Sequence, residues 1–246
     1  MDGLMQINQA VILAGGRGER LRPLTNNLPK PMVPVNERPF LEYLVERLRV
    51  SGITEIVMLL GYLPEKITEY FGDGGRFGLR IRYSIGTVDD ETGTRVRNAK
   101  ALLADRFLLM YGDNYWPLPL DEMTCTYEKM AAPVMVTVYN NRDGRGEYGF
   151  RNNIHMSKDG YVLSYGAIPA GAEHQGVDIG FFLLDKGMVP GMPAHNFSFE
   201  KEFLPRLITR RQLVAFRTNE PYYTITTLEM VEATGRILRQ VHRSVN

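Results

Sequence analysis

The sequence predicts an α/β fold: a three-layer sandwich with helices on both faces of a mostly parallel, mixed sheet, plus a small inserted β region. Three observations carry that prediction. Runs of strand length, Gln9–Ala14, Glu55–Leu60, Arg80–Ile85 and Phe107–Tyr111, recur along the first half of the chain. Between them lie segments with apolar residues at helical spacing, such as Leu41, Leu44, Val45 and Leu48. The connections are short and rich in glycine and proline. Strands and helices that alternate in this way imply parallel pairing through right-handed crossovers. In such sheets ligands collect at the carboxyl ends of the strands.

The first strand, Gln9-Ala10-Val11-Ile12-Leu13-Ala14, runs directly into Gly15-Gly16-Arg17-Gly18-Glu19-Arg20-Leu21-Arg22-Pro23-Leu24-Thr25. Glycine lets the backbone approach a ligand closely and bares N–H groups to it. Arg17, Arg20 and Arg22 surround the turn. Pro29-Lys30-Pro31-Met32-Val33-Pro34-Val35 then holds an extended backbone and adds one more cation, Lys30. Guanidinium is well matched to phosphate oxygens, so the segment reads as a polyphosphate site in preference to a glycine turn with solvated arginines. Two other phosphate motifs do not fit. A dinucleotide fingerprint needs a third glycine at the right offset and a helix opening directly, whereas this loop continues into Pro23 and Pro29, and the glycine-lysine-serine/threonine ending of a P-loop is missing.

The helix after Pro39 ends near Ser51-Gly52, Glu55–Leu60 reads as a buried strand, and Pro64–Phe71 as a second helix closed by the glycine-rich stretch 72–78. Arg80–Ile85 is a third strand, and Glu91 to Val96 precedes a helix through Leu103. Phe107–Tyr111 runs straight into Gly112-Asp113-Asn114, releasing a carboxylate at the end of a strand that should neighbour the first. Asp113 therefore reads as a metal ligand in preference to a plain turn residue. Pro119–Met130 is a helix and Val134–Val138 a strand. After Tyr139 charged, glycine-containing turns and shorter strands, 148–156 and 161–165, form the inserted β region. Ser198 caps a helix running towards Arg210, with Glu200 and Glu202 in its first turn. Leu213–Arg217 and Tyr222–Ile225 read as strands, and Thr226 with Glu229 as a capping box for a final helix carrying Val231, Leu238 and Val241.

Composition narrows the function classes. Twenty-nine basic and 28 acidic residues leave a formal charge of +1 over 246 residues, so there is no electrostatic footprint for nucleic acid or an anionic membrane. A lone cysteine, Cys125, excludes an intramolecular disulfide framework and fits a reducing compartment. The N-terminus has neither a basic start nor a long apolar segment, and the apolar runs are strand-length, so a soluble, cytoplasmic protein is expected. The four histidines, His155, His174, His195 and His242, show no ligand spacing.

Leu13 to Thr25, followed by Pro29-Lys30-Pro31-Met32, resembles the signature of the sugar-1-phosphate nucleotidyltransferases, which make nucleotide sugars. The resemblance covers most of the chain. It implies a Rossmann-like sandwich formed as one domain over residues 1–246, with residues 9–139 on the nucleotide side and 140–246 carrying the sugar-phosphate side and the C-terminal helix. No hexapeptide repeat follows, so the left-handed β-helix domain of some relatives is not expected. The resemblance further implies that Leu13, Ala14, Gly15, Gly16, Arg17 and Gly18 contact the nucleotide, that Glu91, Thr92 and Gly93 cradle its base and sugar, and that Tyr148, Gly149 and Asp178 meet the sugar. Asp178 stands where that family has asparagine, and plain structural turns at Tyr148 and Asp178 remain the alternative. Thr94 and Arg95 are bulkier than the family's usual residues, and Thr224 replaces an aspartate that is the second metal ligand.

The chemistry the resemblance implies is attack of a sugar-1-phosphate oxygen on the α-phosphorus of a nucleoside triphosphate, with release of pyrophosphate. Arg20 would hold the triphosphate, Lys30 would bridge the α-phosphate and the sugar phosphate, and Asp113 would carry Mg2+. A hexose or heptose phosphate is the expected acceptor, and guanine leads uracil and thymine as the base. Two alternatives stand beside this reading: a cytidylyltransferase for a small phosphorylated metabolite, and a catalytically dead nucleotide-binding regulatory module. Relatives in that family are often oligomers, so a homo-oligomer fits the resemblance, although no heptad or large apolar stripe marks an interface.

Overall fold

The computed structural model describes residues 6–142, 152–166 and 175–243. Seven strands form one sheet: β1 (Gln9–Leu13), β2 (Glu55–Leu60), β3 (Arg80–Ile85), β4 (Arg106–Tyr111), β5 (Val134–Tyr139), β6 (Val177–Asp185) and β7 (Leu213–Thr218). Their order across the sheet is β7-β5-β6-β4-β1-β2-β3. Every neighbouring pair is parallel except those made by β6, which runs antiparallel to both β4 and β5. The sheet is therefore mixed and mostly parallel, as expected.

Strands covered on both faces read as continuous apolar runs because neither face meets water. In β1 Ala10 and Ile12 face one core with Leu41 and Leu44, whereas Val11 and Leu13 face a second core with Val96 and Phe197. The first core is closed by helix α1 (Phe40–Val50), whose Phe40, Leu41, Leu44, Val45 and Leu48 are buried, and by α2 (Pro64–Phe71). On the other face lie α3 (Thr92–Asn98) and α5 (Leu204–Thr209). Helix α4 (Leu120–Met130), which carries Cys125, returns to the first face, and α6 (Leu228–Arg243) follows β7. Among the described residues no helix is long and apolar enough to cross a membrane.

The strand order reverses between β1 and β4, because the chain builds outward through β2 and β3 and then returns to the other side of β1. Such a reversal opens a crevice at the carboxyl ends of the two strands. Leu13 pairs with Tyr111 across it, so the glycine loop and Gly112-Asp113 emerge at the same level.

The strand β6 is not among those the sequence predicts, where only Asp178 stands out in this region. Phe181, Phe182, Leu183 and Leu184 are fully buried there, and β6 lies between β4 and β5. Its reversed direction brings its first residues, rather than its last, to the edge where the other strands end. A bulge between Asp178 and Phe182 interrupts the pairing, and Gly180 takes φ +79° beside the Tyr111 ring, which leaves no room for a Cβ.

The inserted β region is represented by the antiparallel pair Ile154–Met156 and Val162–Tyr165. Its other expected part falls outside the described residues, as do Tyr148, Gly149 and His174. The capping box at Thr226 is corrected. Thr227 caps α6, its hydroxyl accepting from Met230 N at 3.4 Å, because the Thr226 hydroxyl is engaged elsewhere.

Candidate active site

The glycine loop is shaped by contacts that only glycine permits. A Cβ on Gly15 would lie 2.4 Å from the Arg95 guanidinium carbon, and one on Gly18, at φ +64°, would lie 2.7 Å from Lys30 Cβ. The Gly18 carbonyl accepts from Thr25 Oγ1 and from Leu21 N, both at 2.9 Å, and Leu21 is fully buried beneath the turn. The loop is thereby fixed with Arg17 and Arg20 exposed around a cavity that they line with Lys30 and Thr226. Arg17 also reaches Asp89 at 3.4 Å, and Arg22 pairs back to Glu19.

Lys30 opens a short turn, Lys30–Met32, and its ammonium is bound by the Asp113 carboxylate. It also donates to Thr226 Oγ1 at 3.1 Å, which in turn lies 3.0 Å from Thr224 Oγ1. Asp113 is held from both sides. Gly112 N donates to the Leu13 carbonyl at 2.9 Å, and Ile225 N donates to the Asp113 carbonyl at 3.2 Å. The pairing of Asn114 with Thr224 brings residues 224–226 to this spot, so Thr224, which replaces the second carboxylate, is buried and linked to Lys30 through Thr226.

Beside this pair lies a cavity of about 290 Å³ lined by Leu13, Ala14, Gly15, Gly16, Lys30, Glu91, Thr92, Arg95, Tyr111 and Asp113, among others. Leu13, Ala14, Gly15, Gly16, Glu91 and Thr92 of the expected nucleotide contacts thus share one wall system with Lys30 and Asp113, while Arg20 sits at the adjoining mouth. Gly93 lies just behind, its Cα against the Phe197 ring. The Asp90 carboxylate caps the turn above it, accepting from Thr87 N at 3.0 Å and from Thr87 Oγ1 at 2.8 Å.

Of the two bulkier residues, Thr94 and Arg95, only Arg95 lines the cavity, and both bind the surrounding backbone. Thr94 turns away and accepts from Phe197 N at 2.9 Å. Arg95 is 5% exposed, and its guanidinium donates to the carbonyls of Leu60 and Thr87 at 2.8 Å, with Val88 at 3.3 Å and Gly15 at 3.4 Å. It ties together the ends of β1 and β2 and the loop after β3. Burial pulls its pKa down and the nearby Asp90 and Glu91 carboxylates push it back up. No local pattern in the sequence signals this role, because all four acceptors are main-chain groups.

Asp178, on β6, is not among the residues lining this cavity. Its carboxylate accepts from Gly180 N at 2.7 Å and from Tyr165 OH at 2.8 Å, and its own N–H donates to Asn153 Oδ1 at 2.9 Å. Burial raises its pKa to about 6, against the downward pull of those two donors. Glu200 is likewise raised by burial, while Thr92 donates to it at 2.9 Å.

A glycine loop ringed by arginines, a cation paired with an acid, and a cavity at the reversal of a mostly parallel sheet define an α/β fold of the nucleotide-binding class. Comparison with known proteins makes the class specific. A family model described as nucleotidyl transferase matches residues 9–220, and the chain belongs to that family. It is 30% identical over 216 residues to UTP–glucose-1-phosphate uridylyltransferase of Synechocystis sp., covering 81% of this chain and 55% of that protein. The D-glycero-alpha-D-manno-heptose 1-phosphate guanylyltransferase of Aneurinibacillus thermoaerophilus is 26% identical, with 85% of this chain and 88% of that one covered. Among solved structures, HddC from Yersinia pseudotuberculosis superposes with a TM-score of 0.79 at 25% identity, over 94% of this chain and all of that one. The same protein complexed with GMP-PN gives 0.77. The chain spans about 55% of the length of several of its curated relatives.

Proposed function

We propose that this chain transfers a nucleotidyl group from a nucleoside triphosphate to a sugar-1-phosphate, a hexose or heptose, forming a nucleotide sugar and pyrophosphate. The observation that carries the reading is the meeting of Lys30 and Asp113 beside the glycine loop, at the ends of two paired parallel strands. The uridylyl- and guanylyltransferases among its relatives support it. Guanine is the first base to test, then uracil and thymine. In this reading residues 9–139 supply most of the nucleotide side, and 140–246, with Tyr148, Gly149 and Asp178, the sugar-phosphate side. The phosphorylated substrates suit a cytoplasmic enzyme.

The nucleophile is a phosphate oxygen that is already an anion, so no side chain has to remove its proton. Repulsion is the obstacle: two like unit charges about 4 Å apart repel by about 4 kcal/mol at an effective dielectric near 20. Lys30 lowers that barrier by standing between the α-phosphate and the incoming sugar phosphate. Arg20 takes the triphosphate and the charge that grows on its leaving group, and Gly15, Gly16 and Gly18 offer backbone N–H groups. Fixed cations of this kind act without reorganising.

Mg2+ fits the donor set. Among the described residues no three His, Cys, Asp or Glu side chains group closely enough to hold a metal by themselves. Asp113 supplies one carboxylate, and Mg2+ is usually held by one or two carboxylates together with substrate phosphates. When bound it neutralises phosphate oxygens and favours in-line displacement.

The test is pyrophosphate release over a grid of GTP, UTP, dTTP and CTP against sugar-1-phosphates, with Mg2+ and with Asp113→Ala as the blank. Release with one pairing, lost in the blank, is expected. A triphosphate that binds without turnover in any pairing would overturn the transferase and favour a nucleotide-binding module.

A further inference from the structure

The wall of the cavity formed by residues 87–92 has no regular structure before α3 begins at Thr92. Apart from the Asp90 cap on Thr87, its shape is imposed by side chains from outside the segment. Arg95 holds its first part through the Thr87 and Val88 carbonyls. The second part, Asp89 to Glu91, is held by Asn196, more than a hundred residues away in sequence. Asn196 Oδ1 accepts from Glu91 N at 2.8 Å, and Asn196 Nδ2 donates to the Asp89 carbonyl at 3.0 Å. One amide side chain thus satisfies a donor and an acceptor two residues apart, as a neighbouring peptide would. Its orientation is unambiguous, since a flipped amide would set N–H against N–H and oxygen against oxygen.

Asn196 is itself held firmly. Arg97 donates to the Pro193 carbonyl and to the His195 carbonyl, the latter at 2.8 Å. Beyond it the fully buried Phe197 packs on Gly93, and the N–H groups of Phe197 and Phe199 are bound by Thr94 and Thr92 at 2.9 Å each. Asp90 and Glu91, within the stapled stretch, and Thr92, just after it, line the cavity, and Asp89 reaches Arg17 across its mouth.

We infer that Asn196 is a positioning residue for the nucleoside triphosphate: it fixes the 89–91 backbone so that this wall is set before the nucleotide arrives. The inference rests on the nucleotidyltransferase reading above. Preset walls improve affinity by lowering the ordering cost of binding. Asn196 is solvent-exposed, so its truncation leaves the core untouched.

The experiment compares wild type with Asn196→Ala and Asn196→Asp by binding of GTP, UTP, dTTP and CTP with Mg2+, steady-state kinetics, thermal melting and amide hydrogen exchange. Asn196→Ala is expected to weaken triphosphate binding and raise its KM about five- to tenfold. The kcat, the KM for sugar-1-phosphate and the melting temperature should stay unchanged, and the Glu91 amide should exchange faster. Asn196→Asp keeps the acceptor for Glu91 but sets an oxygen against the Asp89 carbonyl, so it should not rescue. Unchanged triphosphate affinity in Asn196→Ala, or a loss shared equally by kcat and both KM values with a lower melting temperature, overturns the inference. Wild-type protein that binds none of GTP, UTP, dTTP and CTP overturns the functional reading and the role of Asn196 together, whereas an unprotected Glu91 amide in wild type overturns the staple alone.

Discussion

Replacing Arg95 with alanine removes the guanidinium that joins two strand ends and the loop after a third. Two of its bonds, to Leu60 and Thr87 at 2.8 Å, are well formed, and the contacts at 3.3 and 3.4 Å are weaker. Hydrogen bonds from a charged group contribute about 1.5–3 kcal/mol each, so the two good ones amount to about 3–6 kcal/mol. Two effects reduce that sum. The cavity admits water to the freed carbonyls, and the cost of burying the guanidinium is recovered. A net loss of about 2–4 kcal/mol remains, which for a chain of this size lowers the melting temperature by about 5–15 °C. Urea and thermal melts of wild type, Arg95→Ala and Arg95→Lys measure it. Lysine should recover only part of the loss, because a single ammonium cannot reach acceptors on several segments at once. An Arg95→Ala chain within about 0.5 kcal/mol of wild type would refute the reasoning, and would mean that burial of the guanidinium cancels its bonds.

Two other perturbations test the same structure. Asp178 has a folded pKa of about 6, above its usual value, so the native state holds its proton more tightly than the unfolded chain does. Its contribution is therefore fully present below about pH 4 and is lost as pH rises through about 6. Relative to wild type, Asp178→Asn should gain about 2–3 kcal/mol between pH 4 and 7 and then level off, as read from urea midpoints along a pH series. A difference that does not vary with pH would refute the assignment. For Gly93→Ala the new Cβ would stand 2.1 Å from the buried Phe197 ring, so overpacking should cost about 1–3 kcal/mol. Adding Phe197→Leu should return part of that loss, and two effects that simply add would count against the contact.

The parts of this protein that were legible in its sequence are those set by local chemistry. Apolar runs announced β1, β2 and β4, since a strand covered on both faces must be apolar throughout. The glycine loop, Lys30 and Asp113 were visible because close backbone approach demands glycine, a cluster of cations is written in nearby residue types, and a carboxylate at the end of an apolar strand stands out. The alternation of strands and helices then implied where they would meet. Tertiary structure alone decided the rest. The apolar run of β6 is compatible with either direction, and only its place between β4 and β5 brings Asp178 to the edge where the parallel strands end. Thr226 looked like a helix cap, yet its hydroxyl meets an ammonium 196 positions away. Arg95 and Asn196 bind main-chain groups, which every residue possesses, so no residue type at the far end could betray the contact. Side chains that bind side chains leave a pattern of complementary types, while side chains that bind backbone leave none, and it is the latter that shape the wall of this cavity.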